Sequence, residues 1–350
     1  MHLWSRGPAV PLQYSQTRTS REAVDPTAPL LDVEHLKVDY MTERGPVRAV
    51  DDVSFSIAPG EVLGLAGESG SGKSTIAHAI MRVLHEPAVI AGGRVNFRGR
   101  DVLAMHEKEL EAFRWSEISM VFQSAMNALN PVMTVGHQII DAIQAHTDAS
   151  DKEARDRAAH LLNLVGIDTI RLDAYPHQLS GGMRQRAVIA IALALDPPLM
   201  IMDEPTTALD VVVQKEIMQQ IEELKEKLGF SILFITHDLS LLVEFSDRIA
   251  IMYAGQIVEM GDAAELFADP LHPYTQGLMA SFPSLTGPKR RLSGIPGSPP
   301  NMLNPPSGCR FHSRCSLAQP MHAQVVPRLR EVKPGHFVAC HLYTGREGRS

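Results

Sequence analysis

The sequence has few cysteines, no excess of basic residues and no long apolar run. Three cysteines in 350 residues, an odd number, exclude a disulfide-built scaffold and leave either a metal site or free thiols. Lys and Arg number 33 against 40 Asp and Glu, a net charge of −7, and apart from Lys289-Arg290-Arg291 there is no dense basic run. That balance disfavours nucleic acid as the main ligand. The longest purely apolar run, Ala187 to Leu195, falls far short of the roughly 20 residues that span a bilayer. With no hydrophobic signal core at the N-terminus, a cytoplasmic protein is expected. The remaining composition, 44% hydrophobic and 21% charged, is that of an ordinary globular chain with room for one large or two modest domains.

The most informative stretch is Gly67-Glu68-Ser69-Gly70-Ser71-Gly72-Lys73-Ser74, which meets G-x-x-x-x-G-K-S/T at every fixed position. Val62-Leu63-Gly64-Leu65-Ala66 before it reads as a buried strand, and Ile76, Ala79, Ile80, Val83 and Leu84 after it repeat at helical spacing. Strand, loop and helix in that order make a phosphate cradle. The glycines let backbone N–H groups turn onto phosphate oxygens, and the helix start near Lys73 adds its positive dipole end. Lys73 is expected to reach the β- and γ-phosphates, and the Ser74 hydroxyl to ligate Mg²⁺.

The residues around this loop fall into place in chain order. Residues 1–29, rich in Ser, Thr, Pro and Arg, read as a disordered lead-in. Leu31, Val33, Leu36, Val38 and Tyr40 suggest a strand, and Val47 to Ile57 a second across a turn at Gly45-Pro46. Tyr40 is either a packed edge aromatic or a stacking surface for a flat base. A β-rich stretch from Gly92 to Arg100 and a helix from Glu107 to Phe113 come next, and a strand from Ile118 then brings Gln123 to a strand end, the ligand edge of an open α/β sheet. Helical patterns at Val135 to Ala145 and Lys152 to Val165 look like an insertion between two core strands. It ends in Leu179-Ser180-Gly181-Gly182-Met183-Arg184-Gln185-Arg186, where Ser180 is a good N-cap and the glycines leave bare N–H groups, a second anion site. Leu199 to Met202 is a buried strand delivering Asp203, a Mg²⁺ holder, and Glu204, which can polarise an attacking water. Ser231 to Thr236 delivers His237 to the same edge, as a γ-phosphate contact or a structural hydrogen-bonder.

Taken together, these residues resemble the ATP-binding cassette (ABC) ATPases from Leu30 to about Ala280, with every motif in the family's order. The resemblance implies an α/β fold. This is a P-loop NTPase cassette over residues 30–285, with an N-terminal antiparallel β subdomain and a helical insertion at about 124–182. It makes Tyr40 the adenine-stacking aromatic and residues 67–75, through Thr75, the nucleotide-binding loop. Gln123 becomes the Q-loop glutamine, completing the Mg²⁺ shell with Ser74 and Asp203. Glu204, His237 and Gln123 become the catalytic set, and Ala208 to Asp210 the D-loop. Leu179, Ser180, Gly181, Gly182 and Gln185 form a signature that acts on ATP held by a second cassette. None of these positions departs from the family pattern.

The tail narrows the resemblance. His272-Pro273-Tyr274-Thr275, Ile295-Pro296-Gly297-Ser298-Pro299-Pro300 and Gly308-Cys309-Arg310-Phe311-His312-Ser313-Arg314-Cys315 are similar to the C-terminal extension of dipeptide and oligopeptide importer ATPases, here residues 286–350. That family implies two membrane permeases, a second ATPase in a hetero- or homodimer, an extracytoplasmic substrate-binding protein, and a peripheral place on the cytoplasmic face of the membrane. Its relatives carry peptides, nickel or oligosaccharides, and residues 124–130 would suit a sugar importer equally well. Soluble ABC ATPases of DNA repair or translation share the cassette motifs. The acidic balance, the single cassette and the importer-like tail stand against them. In the resembled importers a fourth cysteine commonly stands where His322 is, and four such cysteines can hold a 4Fe-4S cluster. Cys309, Cys315, His322 and Cys340 leave open a cluster, a tetrahedral Zn²⁺ or three reduced thiols. A staple would suit a terminal module of about 60 residues, which has little core of its own.

Overall fold

The computed structural model describes residues 28–123, 128–207, 209–281 and 294–343. The expected lead-in lies outside these residues up to position 27, as do 124–127 after Gln123 and Ala208 of the D-loop. Two long strands, β1 (Leu31–Thr42) and β2 (Gly45–Ile57), precede the buried β3 (Val62–Ala66), which runs through the glycine-rich loop into α1 (Lys73–Met81). β4 (Ala88–Phe97) and β5 (Arg100–Asp101) join the first two strands in an antiparallel sheet ordered β2-β1-β4-β5. After α2 (Glu107–Phe113) and β6 (Ile118–Val121) come three helices, α3 (Val135–Gln144), α4 (Asp151–Leu164) and α5 (Gly181–Ala192). The chain continues through β7 (Leu199–Asp203), α6 (Val211–Leu228), β8 (Ser231–Ile235), α7 (Leu239–Phe245), β9 (Arg248–Tyr253) and β10 (Gln256–Asp262). Two short helices, α8 (Ala263–Ala268) and α9 (Pro273–Ala280), and a hairpin of β11 (Arg330–Lys333) and β12 (His336–Val338) follow.

The larger sheet has the order β11-β12-β10-β9-β3-β8-β7-β6, and its members β6, β7, β8, β3 and β9 are parallel. Parallel strands need cover on both faces, which is why they read as continuous apolar runs. Met200, Met202, Ile232 and Phe234 enter one core with the helical insertion, while Leu199, Ile201, Leu233 and Ile235 enter the other with α1 and the antiparallel sheet. The C-terminal ends of β3, β6, β7 and β8 therefore share one edge, where a ligand binds in such sheets. The helix after the loop ends at Met81, short of Val83 and Leu84. Arg82 turns left-handed and its N–H returns to the carbonyls of His78 and Ala79, so Val83 and Leu84 pack on the second core from outside the helix.

The terminal hairpin extends this sheet. β12 pairs antiparallel with β10, Glu259 opposite Val338. Glu259, fully buried, accepts from Leu271 N at 2.6 Å and His272 N at 2.9 Å, and lies 2.8 Å from His336 Nε2. His272 in turn caps α9, its Nδ1 accepting from Tyr274 N at 3.0 Å.

Burial pushes His272 down to about 4, against the pull of Glu259. The unfolded imidazole titrates near 6.5. Between those values the unfolded chain binds a proton that the folded one refuses, so stability falls with pH from about 6.5 to about 4, by about 3 kcal/mol in all. Urea midpoints across that range test this. His272→Asn, which keeps a cap acceptor that does not titrate, is expected to flatten the decline; an unaltered slope would show that His272 is not its source.

Candidate functional site

Gly67, Gly70 and Gly72 take φ of +146°, +76° and +104°, a region other residues avoid. A Cβ on Gly67 would lie 2.2 Å from the Met252 carbonyl, and one on Gly72 2.4 Å from the Ala49 carbonyl. Gly72 is also the N-cap of α1 and offers no side-chain acceptor, so no cap side chain claims the N–H groups of the first turn. Ser69 and Gly70 are exposed at the loop tip. Lys73 is buried, and its Nζ donates to the carbonyls of Gly67 at 2.8 Å and Glu68 at 3.1 Å, with Ser71 Oγ at 3.4 Å. Burial lowers its pKa, opposed by Glu204, Asp203 and Glu68. Tyr40 lies beside the loop exit, its hydroxyl 3.4 Å from Thr75 Oγ1.

Asp203 closes β7 and is buried, and among the described residues its Oδ1 has no hydrogen-bond partner. Burial raises its pKa; the neighbouring Ser74 hydroxyl works against that, as do His78 and Lys73. An unpartnered carboxylate oxygen beside a hydroxyl is the donor chemistry of a hard divalent cation, so these residues fit Mg²⁺. Glu204, next in the chain, adopts φ +47°. Left-handed backbone at a non-glycine residue costs about 1–3 kcal/mol and persists where the surroundings enforce it. The bend turns the carboxylate towards its neighbours. Gln123 Nε2 donates to it at 2.7 Å and Thr207 Oγ1 at 3.1 Å, and His237 Nδ1 lies 3.3 Å away. Gln123, Glu204 and His237 follow three adjacent strands, β6, β7 and β8. Thr207 carries no signal in the sequence.

The second anion site is built as a capped helix start. Ser180 Oγ accepts from Met183 N at 3.3 Å, and Leu179 is buried beneath it. Gly182 faces α6, where a Cβ would come within 2.8 Å of Val213 Cγ1. Gln185 is buried, and among the described residues its Nε2 has no hydrogen-bond partner. Among the described residues, no hydrogen bond or ion pair links residues 179–185 with the loop at 67–75. Asp210 caps α6, accepting from Val212 N and Val213 N, and holds Val211 and Val212 out to solvent.

For Cys309, Cys315, His322 and Cys340 the sequence leaves open a cluster, a tetrahedral Zn²⁺ or three reduced thiols. Among the described residues, no group of three or more His, Cys, Asp or Glu is placed to hold a metal ion. Burial pushes the Cys340 thiol up to about 11 and raises Cys309 as well, and the neighbouring cysteines add to both shifts. His322 Nδ1 already accepts from Gln319 N at 3.1 Å, and its ring stacks on His341. Among the described residues, no 4Fe-4S or Zn²⁺ site is assembled by this geometry.

Comparison with known proteins matches residues 50–207 to the family described as ABC transporter, and residues 258–321 to the oligopeptide/dipeptide transporter C-terminal region. The oligopeptide transport ATP-binding protein OppD of Bacillus subtilis is 45% identical over 317 residues, 89% of this chain and 88% of OppD. The dipeptide transport ATP-binding protein DppD of Lactococcus lactis is 45% identical over 320 residues, 91% of this chain and 92% of DppD. Among solved structures, the dimeric ATP-binding cassette MJ0796 with ADP and phosphate is similar at TM-score 0.60 and 28% identity, covering 67% of this chain and 98% of that one.

Gly67→Ala tests the loop geometry. The methyl group meets the Met252 carbonyl, and the left-handed backbone alone costs about 1–2 kcal/mol. A lower denaturation midpoint together with lost anion binding, followed by calorimetric titration, is expected. Unchanged binding would mean that the cradle does not depend on this turn.

Proposed function

The chain belongs to the ABC transporter family and carries the C-terminal region of its oligopeptide/dipeptide transporters, and from that premise we propose that it energises the import of short peptides. It is an ATPase. The observation that supports the catalytic reading is the Glu204 carboxylate, held by Gln123, Thr207 and His237 next to the unpartnered oxygen of Asp203. Ser74 and Asp203, with Gln123, would hold Mg²⁺, which when bound neutralises charge on the phosphates. Lys73 exchanges the carbonyls of Gly67 and Glu68 for phosphate oxygens. Glu204 takes the proton of the attacking water, and His237 keeps that carboxylate oriented. Tyr40 offers its ring to the adenine, and the backbone from Gly67 to Thr75 surrounds the phosphates. Leu179, Ser180, Gly181, Gly182 and Gln185 serve ATP on a second cassette, with Asp210 nearby in the pair. The similar cassette MJ0796 is dimeric with ADP and phosphate, which supports pairing.

Among the described residues, no helix is long and apolar enough to cross a membrane. The reading therefore assigns the pathway to two permeases, cargo selection to an extracytoplasmic binding protein, and this chain to the cytoplasmic face.

Two variants test this. Glu204→Gln is expected to keep nucleotide affinity while phosphate release from the assembled complex falls about 10²–10⁴-fold, whereas Lys73→Ala weakens both; parental turnover by Glu204→Gln would remove the assigned base. Asp141 and Asp148, exposed on the helical insertion, are expected to face a permease. Reversing both to Lys should abolish peptide uptake in vesicles and leave ATP affinity intact, and normal uptake would place the permease contact elsewhere.

A further inference from the structure

Glu68 is the first variable position of the phosphate loop, and phosphate binding does not require a carboxylate there. A negative charge inside an anion-binding loop repels the ligand unless something neutralises it. Arg314, from the terminal segment, does so. Its Nη1 and Nη2 donate to the two Glu68 oxygens at 2.8 and 3.0 Å, a bidentate fork spanning 246 residues of sequence. The guanidinium has further partners besides Glu68. Nε donates to the Pro296 carbonyl at 2.9 Å, Nη1 reaches the Tyr253 hydroxyl at 3.4 Å, and Cζ lies 5.7 and 6.0 Å from the ring centres of Tyr253 and Phe311. Its side chain is only 5% exposed, and the Glu68 bond is the chief reason its pKa is held above the usual value.

Other groups hold the same half of the loop. The hydroxyl of fully buried Tyr274 accepts from Glu68 N at 2.9 Å. Phe311 packs against Tyr253 and Tyr274 with ring centres 5.2 and 5.5 Å apart, fixing the terminal segment there. Pro299, Pro300 and Met302 line a small cavity with residues 68–71. Arg310 donates to Asp51 at 2.5 Å and to the Ala254 carbonyl, and the adjoining Gly255 N donates to the Ser71 carbonyl at 3.0 Å. Lys73 rests on the carbonyls of Gly67 and Glu68, the part of the loop this clamp restrains.

We infer that the terminal segment is a positioning part of the ATP site, in which Arg314 neutralises Glu68 and turns it away from the bound phosphates while Tyr274 fixes its backbone. Arg314 touches no nucleotide; it acts through the loop. The inference rests on the ATP-site reading above.

The test uses the full chain and MgATP, with Kd from titration, KM and kcat from phosphate release, and the folded fraction from circular dichroism. Arg314→Gln is expected to raise Kd and KM for MgATP about tenfold with a smaller change in kcat, because the Glu68 carboxylate is left unpaired beside the phosphates. Arg314→Gln combined with Glu68→Gln is expected to recover most of that affinity, since the repelling charge is gone. A merely structural contact gives no such rescue. Arg314→Lys, which keeps the charge without the fork, is expected to fall between wild type and Arg314→Gln and carries the test if Arg314→Gln fails to fold. Wild-type affinity in Arg314→Gln and Arg314→Lys, or a double variant no tighter than Arg314→Gln, overturns the inference alone. A wild-type chain that binds MgATP no better than Lys73→Ala overturns the ATP-site reading and the inference with it.

Discussion

A buried ammonium beside two carboxylates at the end of a parallel sheet is the constraint on which the rest of the structure depends. Lys73 and Asp203 are 6% and 2% exposed, and burying charge costs several kcal/mol per ion unless partners compensate. Burial pushes both towards their neutral forms, and each is drawn back in part by the other. Every nearby feature serves that compensation. Left-handed glycines bring two carbonyls onto the lysine, the Ser74 hydroxyl favours the charged aspartate, and five parallel strands hold both ends in register. Among the described residues, Asp203 Oδ1 is left without a hydrogen-bond partner. In this arrangement the residual cost of burial is offset when a cation and phosphates arrive, which couples ligand binding to local order.

Glu204 extends the same logic to the chemistry. Its left-handed backbone and its three side-chain neighbours mean that the carboxylate is aimed before any substrate is present. Gln123 occupies a carboxylate oxygen at 2.7 Å in this state, and in the proposed function it also belongs to the Mg²⁺ shell. A glutamine that exchanges one of these partners for the other would link the nucleotide to the segment after β6, which leads into the helical insertion. Among the described residues, no hydrogen bond or ion pair joins the signature at the end of that insertion to the chain's own loop.

Much of this was legible in the sequence because it is local. The phosphate loop, the acid pair after an apolar strand and the histidine after the next one are short patterns whose residues meet through the sheet, and a parallel sheet always gathers strand ends on one edge. The helix expected from Glu107 to Phe113 is found over those residues. The end of α1 was misplaced because Arg82 takes a left-handed turn that no residue type announced. The long-range contacts were not legible at all. Nothing in the spacing told that Arg314 would meet Glu68, that Thr207 would join Glu204, or that β12 would pair with β10 and bring His336 to Glu259, 77 residues away. The cysteine pattern suggested a staple for the terminal segment, whereas sheet pairing, Phe311 and two arginine contacts already hold it to the cassette.

The central claim is that this chain hydrolyses ATP at a site completed by a second cassette. Phosphate release at fixed MgATP, followed as the chain is concentrated alone or with a partner cassette, tests it most directly. The rate should rise faster than in proportion to concentration until pairing saturates, and should vanish when magnesium is chelated. A rate strictly proportional to concentration throughout, or one indifferent to magnesium, would contradict the account.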